Sequence, residues 1–292
     1  MSHWQSIESH IGEVTGQPFS VKSASVAGGG SINSASVLSD GERRYFVKTN
    51  RSGRLAMFEA EARGLLALAG SHTIRVPQAV CYGDDGERSY IVLEYLDLTG
   101  SADQQTLGEQ LAAMHHVTAG AFGWEIDNTI GSTHQPNPWT PDWLDFWREH
   151  RLGYQLRLAA QNGYGGELQS LGEQLLAAMP VLFAGRTVLA SMLHGDLWGG
   201  NVGGLKDGTP VIFDPAFYYG DREADIAMTY VFGGFTPRFY DAYNSVYPLE
   251  DGFALRRTFY NIYHIINHLN MFGGGYHGQA IHMMEQVLAE LR

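Results

Sequence analysis

The sequence predicts an α+β chain in two lobes: a small N-terminal lobe built on an antiparallel sheet with one helix, and a larger, mainly helical C-terminal lobe. Three observations carry this. Strand-like segments crowd the stretch from about Phe19 to Tyr95, and helical periodicity takes over after Leu98. No low-complexity linker separates the two, so the lobes are expected to join directly, as residues 1–96 and 97–292.

The elements follow in order. Ser23-Ala24-Ser25-Val26 and Ser34-Ala35-Ser36-Val37 flank Gly28-Gly29-Gly30, a hairpin pattern with a glycine turn. Arg44-Tyr45-Phe46-Val47-Lys48 reads as a third strand. Leu55, Phe58, Ala62, Leu65, Leu66 and Leu68 mostly follow three- and four-residue spacing, which predicts a helix. Pro77 marks a return to extended chain, and Ser89 to Tyr95 is a largely apolar strand. Leu107 to His116 is a helix. The stretch from Gly120 to Pro141 is rich in Gly, Pro, Asn and Trp without a period, so a long ordered loop is expected there. Helices follow around Trp143–Gln161 and Gly166–Phe183, then a short hairpin from Leu193 to Phe213, then three more helices from about Glu223 to the end.

The bulk properties narrow the function. With 44% hydrophobic and 17% charged residues in 292, the chain has the composition of a globular protein with a real core. Its 19 Lys and Arg against 31 Asp and Glu give a net charge of -12, which repels nucleic acid and anionic lipid. Neither a signal peptide nor an apolar run of membrane-spanning length is visible, and Cys81 is the one cysteine, so no intrachain disulfide can form. A cytoplasmic protein with no nucleic-acid and no membrane partner is expected.

The strongest motif is His194-Gly195-Asp196-Leu197-Trp198-Gly199-Gly200-Asn201, followed by Val211-Ile212-Phe213-Asp214-Pro215. Phosphoryl transfer needs a carboxylate near the attacking hydroxyl and oxygen ligands for the Mg²⁺ that bridges the phosphates. A loop Asp, an Asn five residues on and an Asp after the next strand supply those roles, in the order seen in protein-kinase-like enzymes. Asp196 is therefore the candidate catalytic residue, and Asn201 and Asp214 are the candidate metal ligands. An ordinary turn rich in Asp, Asn and Gly is the plainer alternative, and the leading His and the apolar strand before Asp214 argue against it.

Gly28-Gly29-Gly30-Ser31-Ile32-Asn33 could bring main-chain N–H groups of Gly29, Gly30 and Ser31 close to nucleotide phosphates. Alone it would be a plain hairpin turn; its meaning comes from lying upstream of Lys48. Lys48 on its apolar strand would hold the α- and β-phosphates, with a helix glutamate orienting it. Glu59 and Glu61 both qualify but cannot share a helix face, and Glu61, which lies with Leu65 and Leu68, is favoured. Glu94 and Leu96, where strand gives way to helix, would bind adenine through main-chain groups. His264 and His268 have zinc-like spacing, but no third ligand is evident and packed histidines are the better reading. Tyr260, Tyr263 and Phe272 read as core. Asp225 reads as a structural residue at a helix start or as an anchor for the catalytic loop.

The chain resembles the fructosamine kinase (ketosamine-3-kinase) family, a branch of the aminoglycoside-phosphotransferase-like fold within the protein-kinase-like superfamily. The resemblance lies in Gly28–Asn33, Phe58-Glu59-Ala60-Glu61, Phe122-Gly123-Trp124, Asn128-Thr129-Ile130-Gly131 and Gln135-Pro136-Asn137-Pro138-Trp139. It extends through Asp142–Trp147, His194–Asn201, Asp214-Pro215-Ala216, Tyr218–Glu223, Tyr260–His264 and Asn267–Asn270, nearly the whole chain. Trp198 in the catalytic loop, Asp214-Pro215-Ala216 and the segment Gln135–Trp139 point to the family; Asp196 to Asn201 alone points only to the superfamily.

The resemblance implies ATP- and Mg²⁺-dependent phosphorylation of the O3 hydroxyl of ketoamine adducts, free or protein-bound, in deglycation repair, with ribulosamine or erythrulosamine preferred over fructosamine. By their location, the long loop and Trp198 would wall the sugar site, which places Trp198, Gln135 and Asn137 near the substrate. Relatives carry Cys in the glycine-rich loop where this chain has Ser31, so a monomer is expected rather than a disulfide-linked dimer. Another small-molecule kinase of the same fold and a nucleotide-binding pseudokinase are the competing readings.

Overall fold

The computed structural model describes residues 3–28 and 32–291. The chain divides into two compact units: Met1–Asp103 with Gly203–Pro215, and Gln104–Val202 with Ala216–Arg292. The first thus runs past the 1–96 boundary expected from the sequence, and it also takes in a later segment that carries Asp214.

The first unit opens with α1 (Gln5–Thr15), which precedes the strand-like stretch from Phe19 and was not expected from the sequence. Ile7 and Ile11 lie one turn apart and are fully buried, and Gly16 ends the helix in the left-handed conformation (φ 68°). The sheet is built from β1 (Ser23–Val26), β2 (Ser34–Ser39), β3 (Arg44–Arg51), β4 (Ala79–Asp84) and β5 (Arg88–Glu94), in the order β1-β2-β3-β5-β4, all antiparallel. Between β3 and β4 lies α2 (Leu55–Gly70), so this unit holds two helices rather than one. Side chains alternate across β3: Val47 joins a core of Ile7, Ile11, Phe19, Leu38, Cys81, Tyr90 and Val92. Lys48, the next residue, therefore projects from the opposite face. Its neighbours in register are Ala35 on β2 and Ile91 on β5. Of the six residues whose spacing predicted helix α2, it buries Phe58, Ala62, Leu65 and Leu68, whereas Leu55 and Leu66 are exposed. The hairpin Val202–Gly204 with Pro210–Ile212 leads to Asp214, and Val211 bridges to Arg75. It is shorter than the Leu193–Phe213 hairpin expected from the sequence.

Leu193 belongs to a different sheet, in the second unit. The strand Ala190–Leu193 lies between Thr118–Ala119 and Tyr218–Gly220, antiparallel to both. The stretch expected as an irregular loop between Gly120 and Pro141 contains a small hairpin, Asn128–Ile130 with Thr133–Gln135. Helix Gln104–His115 packs along helix Pro237–Val246. The segment Trp143–Gln161 is helical throughout, with a wider π-type stretch at Arg148–Leu152. Four helices rather than three close the chain: Arg222–Met228, Pro237–Val246, Phe253–Phe272 and His277–Glu290. Tyr260 and Tyr263 are core, as their spacing suggested, but Phe272 is 53% exposed because it stands at the free end of its helix.

Candidate active site

In the first unit, two carboxylates converge on Lys48. The Lys48 side chain is nearly buried, and its Nζ donates to Glu61 Oε1 at 2.6 Å and to Asp214 Oδ1. Burial alone would depress the ammonium pKa, but the adjacent carboxylates of Asp214 and Glu61 outweigh it and hold the pKa above its ordinary value. Lys48 is therefore a fixed cation. Of the two glutamates left open by the sequence, Glu59 turns outward to Arg63 at 3.6 Å. Asp214 adopts φ 59°, a left-handed conformation that non-glycine residues rarely take. That turn is what brings its carboxylate back to Lys48 at the end of the hairpin.

The glycine-loop residues Gly29, Gly30 and Ser31 lie outside the described residues. The following segment is tied to β3 by Asn50, whose Nδ2 donates to Ile32 O at 3.1 Å and Asn33 Oδ1 at 2.7 Å. At the strand end, the Glu94 side chain is latched by Arg75 and by the Gln78 N–H at 3.0 Å, and the Glu94 N–H donates to Gln78 O at 2.8 Å. The Leu96 carbonyl accepts from Leu98 N–H at 3.1 Å.

In the second unit, Asp196 and Asn201 are held in one short loop. Asn201 Nδ2 donates to the Asp196 carbonyl at 2.8 Å and to its Oδ2 at 3.2 Å. With its nitrogen engaged there, the amide turns Oδ1 the other way, the orientation a metal ligand requires. The donor set of Asp and Asn oxygens is the hard, oxygen-only kind that suits Mg²⁺. The loop backbone is fixed from below by Asp225, whose carboxylate accepts the N–H groups of His194 at 2.7 Å and Gly195 at 2.8 Å. Of the two structural roles the sequence allowed Asp225, it takes the anchor; the helix start is capped by Asp221, which accepts from Glu223 N–H at 3.0 Å. Burial would raise the Asp225 pKa, but donation from His115 and the neighbouring groups holds it below its ordinary value.

Gly195 has to be glycine: its φ is 83°, and a Cβ there would lie 2.0 Å from Ala216 O. Trp198 lies over Gly200, where a Cβ would come within 2.1 Å of the indole. The same loop packs at Gly199 against the backbone of Gly233 and Gly234.

Gln135 and Asn137, expected near the substrate, are instead buried inside their own loop with their polar atoms engaged. Gln135 Nε2 donates to Asn128 Oδ1 at 2.8 Å and Ala216 O at 3.2 Å, while its Oε1 accepts from Tyr263 OH at 2.6 Å. Asn137 Nδ2 donates to Ile126 O and Asn128 Oδ1, and its Oδ1 accepts from Arg151 at 2.6 Å. Gln135 thereby braces the main chain at Ala216, which underlies Gly195, while Asn137 ties its loop to Asn128 and Arg151. The bracing residues Asn128 and Arg151 were not singled out as functional, because nothing local distinguishes a bracing Asn or Arg from a surface one.

His115 was missed for a similar reason. It is the last residue of its helix, fully buried, with Nε2 at 3.2 Å from Asp225 and Nδ1 at 2.7 Å from Tyr243 OH. Burial lowers its pKa, so it is the neutral ring, with Nε2–H donating to Asp225. The partners are 110 residues apart, and no sequence pattern joins them. His264 is buried beside Tyr263, and His268 Nδ1 lies 2.7 Å from the His264 carbonyl, which takes that nitrogen out of any metal-binding role.

Comparisons with known proteins give the family and the fold. The profile of the fructosamine kinase family matches residues 3–290. The chain is 47% identical over 288 residues to a probable ketoamine kinase of Synechocystis sp., covering 98% of this chain and 97% of the relative. It is 45% identical over 269 residues to the chloroplastic protein-ribulosamine 3-kinase of Arabidopsis thaliana, covering 91% of this chain and 82% of the relative. A crystal structure of a candidate fructosamine-3-kinase from Haemophilus somnus 129PT superposes with a TM-score of 0.89 at 30% identity, covering 98% and 97% of the two chains. The fold is the protein-kinase-like one.

Proposed function

The chain belongs to the fructosamine kinase family and is an ATP-dependent phosphotransferase, and from that premise we propose that its acceptor is the O3 hydroxyl of ketosamines. What supports this most is the pairing of Asp196 with Asn201 in a loop whose peptide N–H groups are held by a buried carboxylate, in a chain similar to ketoamine kinases from end to end.

In this reading Asp196 aligns the acceptor hydroxyl and takes its proton as the new O3–P bond forms and the bond between the γ-phosphorus and the ADP oxygen breaks. Lys48, oriented by Glu61, neutralises charge on the α- and β-phosphates. Main-chain groups of Glu94 and Leu96 bind adenine, and the segment Gly29–Ser31 covers the phosphates. Asn201 and Asp214 would hold Mg²⁺, which would offset the negative charge of the phosphates. Trp198 offers an aromatic face to the sugar. Gln135 serves the substrate indirectly, by fixing the chain under Gly195, and Asn137 by bracing the loop that carries Gln135.

Ribulosamine and erythrulosamine, free or on protein lysines, are the preferred acceptors, and their phosphorylation serves deglycation. The protein acts as a monomer in the cytoplasm. In support, Cys81 is buried, with its thiol pushed up to about 12 by that burial, and no helix among the described residues is long and apolar enough to cross a membrane.

The test is phosphate transfer from ATP to ribulosyl-, erythrulosyl- and fructosyl-lysine, with and without a chelator. The position of the new phosphate is read by NMR. Transfer to O3 that stops on chelation and resumes with Mg²⁺ is the expected result. Transfer only to an aminoglycoside or to choline, or phosphate at another hydroxyl, would sink the proposal.

A further inference from the structure

An aromatic track leads away from the catalytic loop. Trp198 meets Phe232 edge-on at 5.6 Å between ring centroids, Phe232 meets His268 at 5.2 Å, and His268 meets both Phe272 at 5.6 Å and Tyr276 at 5.2 Å. All five residues lie in the unit that carries Asp196. Large aromatic side chains are normally buried, and Tyr260 and Tyr263 on the same helix are. Phe232 and Phe272, in contrast, are 45% and 53% exposed.

The track is fixed in place. Phe232 precedes Gly233 and Gly234, and these two glycines sit so close to Gly199 that a Cβ on Gly199 would lie 2.6 Å from Gly233 O. His268 is set by its Nδ1–H donating to His264 O at 2.7 Å. Backbone contacts thus fix the segment after Phe232 and the His268 ring, two of the five rings are exposed and three half-buried, and the track begins at the loop that bears the proposed base.

We infer that this track binds the amine carrier of the ketoamine: the lysine methylenes and the secondary ammonium that link the sugar to its peptide. The inference rests on the ketosamine reading of the site. A ketoamine has two ends. The sugar must lie at Asp196, and the carrier must leave from there along a surface that suits an alkyl chain with a cation at its head. Aromatic faces do this, by packing on methylenes and by attracting the ammonium. The net charge of -12 adds a general preference for cationic carriers. The track continues directly from Trp198, so one substrate molecule can touch both.

The experiment compares two acceptors with the same sugar, ribulosyl-methylamine and ribulosyl-lysine within a short blocked peptide, against the wild type, Phe272→Ala and Phe232→Leu. The wild type is expected to show a lower KM for the peptide than for the methylamine adduct. Phe272→Ala should raise KM for the peptide about tenfold, leave kcat within about twofold, and leave both constants for the methylamine adduct within about twofold. Phe232→Leu keeps the loop packed and should give a smaller shift of the same selectivity. Equal changes for both acceptors, or no change for either, with melting temperature preserved, would overturn the inference while leaving the kinase reading intact. Absence of transfer to either acceptor in the wild type would instead overturn the ketosamine reading, and the carrier track with it.

Discussion

The Lys48 cluster and the catalytic loop are both sites of charge, yet they are held by different physics. Around Lys48, one buried cation reconciles two carboxylates that would otherwise repel each other, and the contact between Lys48 and Asp214 spans 166 residues of sequence. Around Asp196, the carboxylate that does the holding, Asp225, is engaged with main-chain N–H groups and a neutral histidine. The first arrangement depends on the charge state of its members. The second depends on hydrogen-bond geometry that keeps its form when charges nearby change.

The largest expected effect comes from removing the proton acceptor. Asp196→Ala should lower kcat by about 10³-fold or more, with the Kd for an ATP analogue within about twofold, because the loop backbone is held by Asp225 and not by Asp196 itself. Single-turnover kinetics and nucleotide titration separate the two quantities, and a parallel loss of nucleotide binding would show that the loop is less independent than its hydrogen bonds imply.

Lys48→Met should lower kcat/KM for ATP by about 10²-fold, and it should also steepen the dependence of stability on pH. Burial already holds the Glu61 pKa above its ordinary value although Lys48 opposes it, and with the ammonium gone only burial and the Asp214 charge, which both raise it, remain. A raised folded-state pKa contributes stability below the ordinary carboxylate range, and that stability is lost as pH rises through the folded value. The Lys48→Met variant should thus melt progressively lower from pH 5 to pH 8, and adding Glu61→Gln should flatten the trend. A flat trend in the single variant would mean that Glu61 finds another partner and that the cluster is not governed by charge.

Asp225→Asn should have the next smaller effect. The amide still accepts one main-chain N–H but leaves its partner unsatisfied, a penalty of about 1–3 kcal/mol at the loop. We expect kcat to fall by about 10- to 100-fold with KM for ATP within about threefold. A loss confined to KM would contradict the positioning role.

The two regions also differ in how far they could be read from sequence. His194 to Asn201 and Asp214 were legible because phosphoryl transfer imposes residue types at fixed short spacings, and Glu61 because helix periodicity put it on the face of Leu65. Helix α1 was missed: its signal is two isoleucines one turn apart, and its burial comes from strands far along the chain. Gln135 and Asn137 were placed near the substrate because they belong to the long loop expected to wall the sugar site. Their partners, Ala216, Tyr263 and Arg151, are distant in sequence, so only the folded chain shows that the loop closes on itself. Motif spacing reports chemistry, whereas bracing is a matter of tertiary contact.

The smallest effect tests the acid side of the same contrast. If the loop side is held by hydrogen bonds, its weak point is a buried neutral group that must become charged. His264 is such a group: burial, reinforced by His268 and only partly opposed by Asp225, pulls its pKa down to about 3. The unfolded ring titrates near 6.5, so its folded pKa is depressed. The stability it supports is fully present above about pH 6.5 and drains away as pH falls toward the folded value, because the unfolded chain gains the proton first. Between pH 7 and pH 5 this single residue should withdraw about 2 kcal/mol from the free energy of unfolding. His264→Gln keeps a polar ring-sized group without the titration, and the difference between the two proteins across that interval isolates the histidine from His115, which shifts in the same direction. Urea unfolding at pH 7 and pH 5 measures it. If both proteins lose the same stability, His264 is not the acid limit of the loop side, and the division between a charge-governed cluster at high pH and a histidine-limited one at low pH fails.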